Sequence, residues 1–144
     1  MPLIVFNEIY PEFHLKNKTK IKAWILEVIS KHGKLCNELQ FIFCDDEFLL
    51  ALNQEYLKHN TLTDIITFNY NQENFISGEI YISIDRVIEN AAVFEKSIYN
   101  ELCRVIIHGI LHLLGFNDKS EEEKQLIRKN EDAMLALLPI SSFM

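Results

Sequence analysis

The sequence predicts an α+β fold: a small mixed four-stranded sheet with about five helices packed on it. Two patterns point there. Short runs rich in β-branched and aromatic residues fall mainly in the first half, and capped segments of helical period dominate the second. The chain has 144 residues, 49% of them hydrophobic, with only three prolines and four glycines. That is enough for one apolar core, so residues 1–144 are expected to form a single domain.

Residues 3–9 (Leu-Ile-Val-Phe-Asn-Glu-Ile) read as the first strand. From about 17 to 32, Ile21, Trp24, Ile25, Val28 and Ile29 recur at helical spacing, and Gly33 supplies a stop. Residues 39–44 give a second strand. Asp45 then caps a helix through Phe48, Leu49, Leu52 and Tyr56. Residues 64–70 and 78–84 read as an antiparallel pair joined by the polar stretch 71–77, with Gly78, Ile80, Ile82 and Ile84 on one face. Asp85 opens a helix of Val87, Ile88, Ala91 and Ala92, with Phe94 a candidate at its far end, and Ser97 caps the next, 98–114. The last helix begins at Ser120-Glu-Glu-Glu123, a capping box. Leu126, Ile127, Asn130, Met134, Leu137 and Leu138 are its expected inner side.

The net charge of −7 argues against a general nucleic-acid binder. Its distribution is uneven: residues 1–60 carry seven basic against eight acidic side chains, and 61–144 carry seven against thirteen. Lys16, Lys18, Lys20 and Lys22 form either a basic patch or the solvated start of a helix. Global acidity leaves room for a local site that binds one anionic substrate. Cys36, Cys44 and Cys103 have no metal or redox spacing and fit a reducing, cytoplasmic compartment. No signal peptide and no membrane span is expected.

The chemistry concentrates in residues 108–118. His108 and His112 are four apart, so on a helix their imidazoles share a face. Gly115 can end that helix in a left-handed turn, and Asp118 can then fold back toward the same point. The spacing matches the zinc helix of the long metalloprotease motif, except that its general-base glutamate is Gly109 here. Three protein ligands with a fourth position left to water define a catalytic zinc site. The alternative is that the histidines are core residues of a very apolar helix, but buried imidazoles without partners are costly. Along the stripe 101, 104, 108 and 112, Arg104 is placed to meet an anion at the metal or to pair with Glu101. Glu101 is alternatively the group that orients His108.

The segment Glu101–Asp118, with His-Gly-Ile-Leu-His-Leu-Leu-Gly at its centre, resembles the hallmark of the YbeY family of bacterial endoribonucleases. Leu52-Asn-x-x-Tyr56, Thr63-Asp-Ile-Ile-Thr-Phe68 and Gly78-Glu-Ile80 are similar to a second family block. The resemblance covers about residues 40–138. It implies a zinc-dependent endoribonuclease, specific for single strands, that processes the 3′ end of small-subunit ribosomal RNA and serves ribosome quality control. It also implies one Zn2+ per chain on His108, His112 and Asp118, with ribosomal RNA and the small ribosomal subunit as partners. Arg104 or Lys58 would offset phosphate charge, and Thr63 and Thr67 would line the substrate cleft.

Four positions depart from the pattern. Asp118 replaces the third family histidine, Asn117 the aspartate before it, Leu57 an arginine implicated in activity, and Leu62 a proline. Two other readings remain open. A metallopeptidase is favoured by ligand spacing, and a non-catalytic ribosome-assembly factor with a structural metal is favoured by Leu57 and the acidic charge.

Overall fold

Alternating apolar residues in the strands and one long apolar helix set the architecture. The computed structural model describes residues 2–58 and 63–138. The chain runs β1 (Leu3–Glu8), α1 (Lys18–Lys31), β2 (Leu35–Cys44), α2 (Asp46–Leu52), β3 (Ile65–Asn69), β4 (Phe75–Ser83), α3 (Ile84–Val93), α4 (Ile98–Leu113) and α5 (Glu121–Leu135). The sheet order is β1-β2-β4-β3. Its first two pairings are parallel, and β3–β4 is antiparallel with Ile65 opposite Ile82 and Asn69 opposite Gly78. This is the mixed sheet with five helices that the sequence predicts.

The pleat divides each strand between two cores. Leu39, Phe41 and Phe43 of β2 and Ile76, Ile80 and Ile82 of β4 face one way, into a cluster with Trp24, Ile25 and Val28 of α1 and the apolar side of α4. Cys44, Ile66, Phe68 and Tyr81 face the other way, where Leu49 and Leu52 of α2 pack on them, Phe48 stacks on Tyr81 and Tyr56, just after α2, meets Phe68 edge-on. All three cysteines are buried and free; burial pushes the Cys44 and Cys103 thiols up to about 12 and Cys36 to about 11.

Several boundaries move from their expected places. β2 begins at Leu35 rather than 39, with an irregularity in its register between Cys36 and Leu39. α2 does not run regularly to Tyr56; it widens into a π turn over Asn53–Leu57. Ser83, not Asp85, caps α3 by accepting from the Arg86 N–H. Asp85 instead accepts from the Tyr10 hydroxyl at 2.7 Å and the Asp46 N–H at 2.9 Å, tying three segments together. On α5, Leu126 is exposed, and the buried positions are Ile127 and a charged residue, Glu131. Leu62 lies outside the described residues. Among those described, no helix is long and apolar enough to cross a membrane.

Candidate metal centre

Helix α4 lies directly on the sheet because glycines let it approach. A Cβ on Gly109 would sit 2.9 Å from Ile65 Cδ1 and 3.0 Å from Ile80 Cγ2, so residue 109 points into the sheet. A quarter-turn away on the same helix, His108 and His112 are only partly buried. Their Nε2 atoms approach to 2.9 Å.

The chain then reverses. The Gly115 N–H bonds the His112 carbonyl and the Phe116 N–H the Leu111 carbonyl, a Schellman turn with Gly115 at φ +105°. A few residues on, Ser120 accepts from the Glu123 N–H while Glu123 accepts from the Ser120 and Lys119 N–H groups. Between these two fixed motifs Asp118 is held with its Oδ2 at 3.3 Å from both Nε2 atoms. For tetrahedral ligation with bonds of 2.0–2.1 Å, the donor–donor edge is about 3.3 Å. Three acceptor atoms at 2.9, 3.3 and 3.3 Å, converging on one point, therefore fit a metal ion.

The support behind the first ligand comes from α5. His108 Nδ1 donates to Glu131 Oε2 at 2.5 Å, which leaves Nε2 with the lone pair a metal needs. Glu131 is only 4% exposed, and its other oxygen accepts from the Arg104 guanidinium at 2.8 Å. The same guanidinium reaches Asp132 at 2.7 Å. Burial alone would push the His108 imidazole below its usual range. The bond to Glu131 and the charges of Glu131, Asp118 and Asp64 together outweigh this and raise it.

His108, Asp118, Glu131 and Arg104 line an open cleft of about 710 Å³ together with Asp64, Asn90, Phe94, Lys96, Glu101, Lys124 and Arg128. Glu101 and Asp64 are carboxyls pushed up chiefly by burial, with Arg104 and His108 respectively pulling them back down.

A family model for "Endoribonuclease YbeY" matches residues 8–139. The chain belongs to the YbeY family. YbeY relatives described as "Endoribonuclease YbeY" include that of Karelsulcia muelleri, 46% identical over 127 residues, which are 88% of this chain and 90% of the relative. The Flavobacterium psychrophilum relative is 45% identical over 129 residues, 90% of this chain and 92% of its own. A solution structure of a Thermotoga maritima protein superposes with a TM-score of 0.60 at 26% identity, covering 93% of this chain and 89% of the other.

Set against the YbeY pattern, His108 and His112 take the first two ligand positions and Asp118 the third. The partner of His108 is Glu131, not Glu101, which is buried two turns earlier on α4. Arg104 lines the cleft but is bound to Glu131 and Asp132 rather than free. Leu57 and Lys58 end the π turn, both exposed, Lys58 in the left-handed region at φ 57°; neither is among the described residues that line the cleft. The Thr63 hydroxyl donates to the Ile65 carbonyl at 3.3 Å. Thr67 alternates with Ile65 on the sheet face that α4 covers. Neither threonine lines the cleft.

Glu131 was missed because it lies 23 residues from His108 on another helix. A signal existed: at four after Ile127 and three before Met134 it falls on the apolar stripe of α5, where an unpaired acid would be costly.

Proposed function

We propose that this chain is a metal-dependent endoribonuclease, directed to single strands, that matures ribosomal RNA at the 3′ end of the small-subunit RNA and serves ribosome quality control. The observation that carries the reading is the triangle of His108, His112 and Asp118 donors at the edge of an open cleft, in a chain of the YbeY family. Its expected setting is the cytoplasm, with the small ribosomal subunit as partner. Zinc suits two imidazoles and a carboxylate. Bound there, it would supply Lewis acidity toward a phosphate oxygen and a water-derived nucleophile near neutral pH.

The chain's own groups do the rest. Glu131 fixes the His108 tautomer, and Arg104 anchors Glu131 while keeping a positive charge on the cleft wall. Lys58, Thr63 and Thr67 are the further expected contacts to substrate and stand outside the described residues that line the cleft. A peptidase is disfavoured by Gly109. The position that would carry its base points at Ile65 and Ile80, away from the cleft. The assembly-factor reading keeps one specific support, Leu57 in place of the family arginine.

The test is metal content of the purified protein beside Asp118→Ala, with both assayed on single-stranded ribosomal RNA. One zinc per chain, lost together with cleavage in the variant, is the expected outcome. A metallated wild type that binds the small subunit and never cuts RNA would select the assembly factor instead.

A further inference from the structure

Of the groups around the cleft, Phe94, Lys96, Lys124 and Arg128 have no part in holding the metal ligands. Phe94 closes α3 and is 54% exposed, an aromatic ring on the cleft wall rather than in the core. Lys96 follows it in the turn before α4, and Lys124 and Arg128 stand one turn apart on α5. All three cations are exposed, and none forms an ion pair with a described residue. In a chain of net charge −7, three cations outside every described ion pair line this one cleft, and Arg128 also acts through its charge on the buried Glu101. The cleft interior has the opposite character: Glu101, 4% exposed and without a hydrogen bond to any described residue, lines it beside Asp64.

We infer that this side of the cleft is a nucleotide subsite, in which a base stacks on Phe94, backbone phosphates lie on Lys96, Lys124 and Arg128, and Glu101 accepts a hydrogen bond from a sugar hydroxyl or base amino group. The inference rests on the endoribonuclease reading and assigns where the strand continues beyond the metal. Its logic is polarity. Buried carboxylates repel phosphate, so the backbone stays on the cationic rim and the hydrogen-bond donors of the nucleotide turn inward. A ring flanked by cations is the general platform for single-stranded nucleic acid, tolerant of sequence because every base has a π-face. A volume of about 710 Å³ accommodates a nucleotide.

The experiment is fluorescence anisotropy of a labelled single-stranded RNA hexamer in chelator, with cleavage measured separately in the presence of zinc. Phe94→Ala should weaken binding about tenfold, as loss of one base–aromatic stack does. Phe94→Trp should keep it, and Leu126→Ala, an equally exposed apolar residue outside the cleft, should change nothing. Strands with one abasic position identify the stacked base: at that position the abasic loss and the Phe94→Ala loss should not add. Lys124→Ala should lower the slope of log affinity against log salt by about 0.7. Absence of RNA binding, full additivity at every position, or indifference to Phe94→Ala overturns the subsite, even in a protein that cleaves. The expected binding pattern in a protein that does not cleave keeps the subsite and removes the nuclease.

Discussion

Glu131 on α5 accepts the Nδ1 proton of His108 on α4 at 2.5 Å, and this contact joins the candidate metal centre to the packing of two helices. Replacement by Gln keeps the volume but removes the charge that holds the imidazole and favours its Nδ1 proton. Partners of this kind change metal affinity by about 10–100-fold. Glu131→Gln is therefore expected to weaken zinc binding by that factor while the circular dichroism spectrum stays native. Unchanged affinity in a competition titration with a chromophoric chelator would sink the role.

Arg104 bridges Glu131 and Asp132 with separate guanidinium nitrogens, at 2.8 and 2.7 Å. A lysine ammonium cannot present two fixed donors in that fork. Arg104→Ala leaves the buried Glu131 charge without its cation, a loss of order 3 kcal/mol for a well-buried pair. The Asp132 half of the bridge is solvent-exposed and contributes little. Arg104→Lys should recover only part of the deficit in urea unfolding. In the Glu131→Gln background Arg104→Ala should cost much less, and equal costs in both backgrounds would dissociate the two residues.

Gly109 tests the close approach of α4 to the sheet. A methyl group there would meet Ile65 and Ile80 at about 3 Å, and overpacking of this kind costs about 1–3 kcal/mol. Offsetting it, alanine favours a helix interior over glycine by about 1 kcal/mol. Gly109→Ala should thus be mildly to clearly destabilising, and a stabilised variant would show that α4 can lift from β3 and β4. Gly109→Glu should unfold the protein or leave it without peptidase activity, since the side chain points into the sheet.

Periodicity was enough to read α1, β4 and α4, since each buries the face its apolar spacing marks. Spacing also picked out the candidate ligand set: His108 and His112 are placed by helix geometry, and Asp118 is placed by Gly115 and the capping box on either side. What it could not supply was pairing between elements. The approach of α5 to α4 decides that Arg104 meets Glu131 rather than Glu101, and the packing of the start of α3 beside the segment after β1 decides that Asp85 meets Tyr10. Local signals also failed where two helical geometries compete, as in the π turn that follows α2.

Asp85 gives a prediction in pH. Its carboxyl is held below the usual carboxylate range, first by the Asp46 N–H and then by the Tyr10 hydroxyl, with burial opposing. A lowered folded pKa means that the unfolded chain takes up the proton first as pH falls. The contribution is then fully present above the unfolded value near 4 and is lost as pH drops through the folded one. Urea midpoints from pH 7 to pH 2 should fall in wild type below about pH 4. In Asp85→Asn the unfolding free energy should already be lower at pH 7 by about 1–3 kcal/mol, because a charge-assisted acceptor of two bonds is gone. Below pH 4 the two curves should converge. Parallel curves across the whole range would assign the acid sensitivity to other carboxylates, with Glu8 next in line: its pKa is also lowered, by the Leu15 N–H and by Lys18 against the opposing effect of burial.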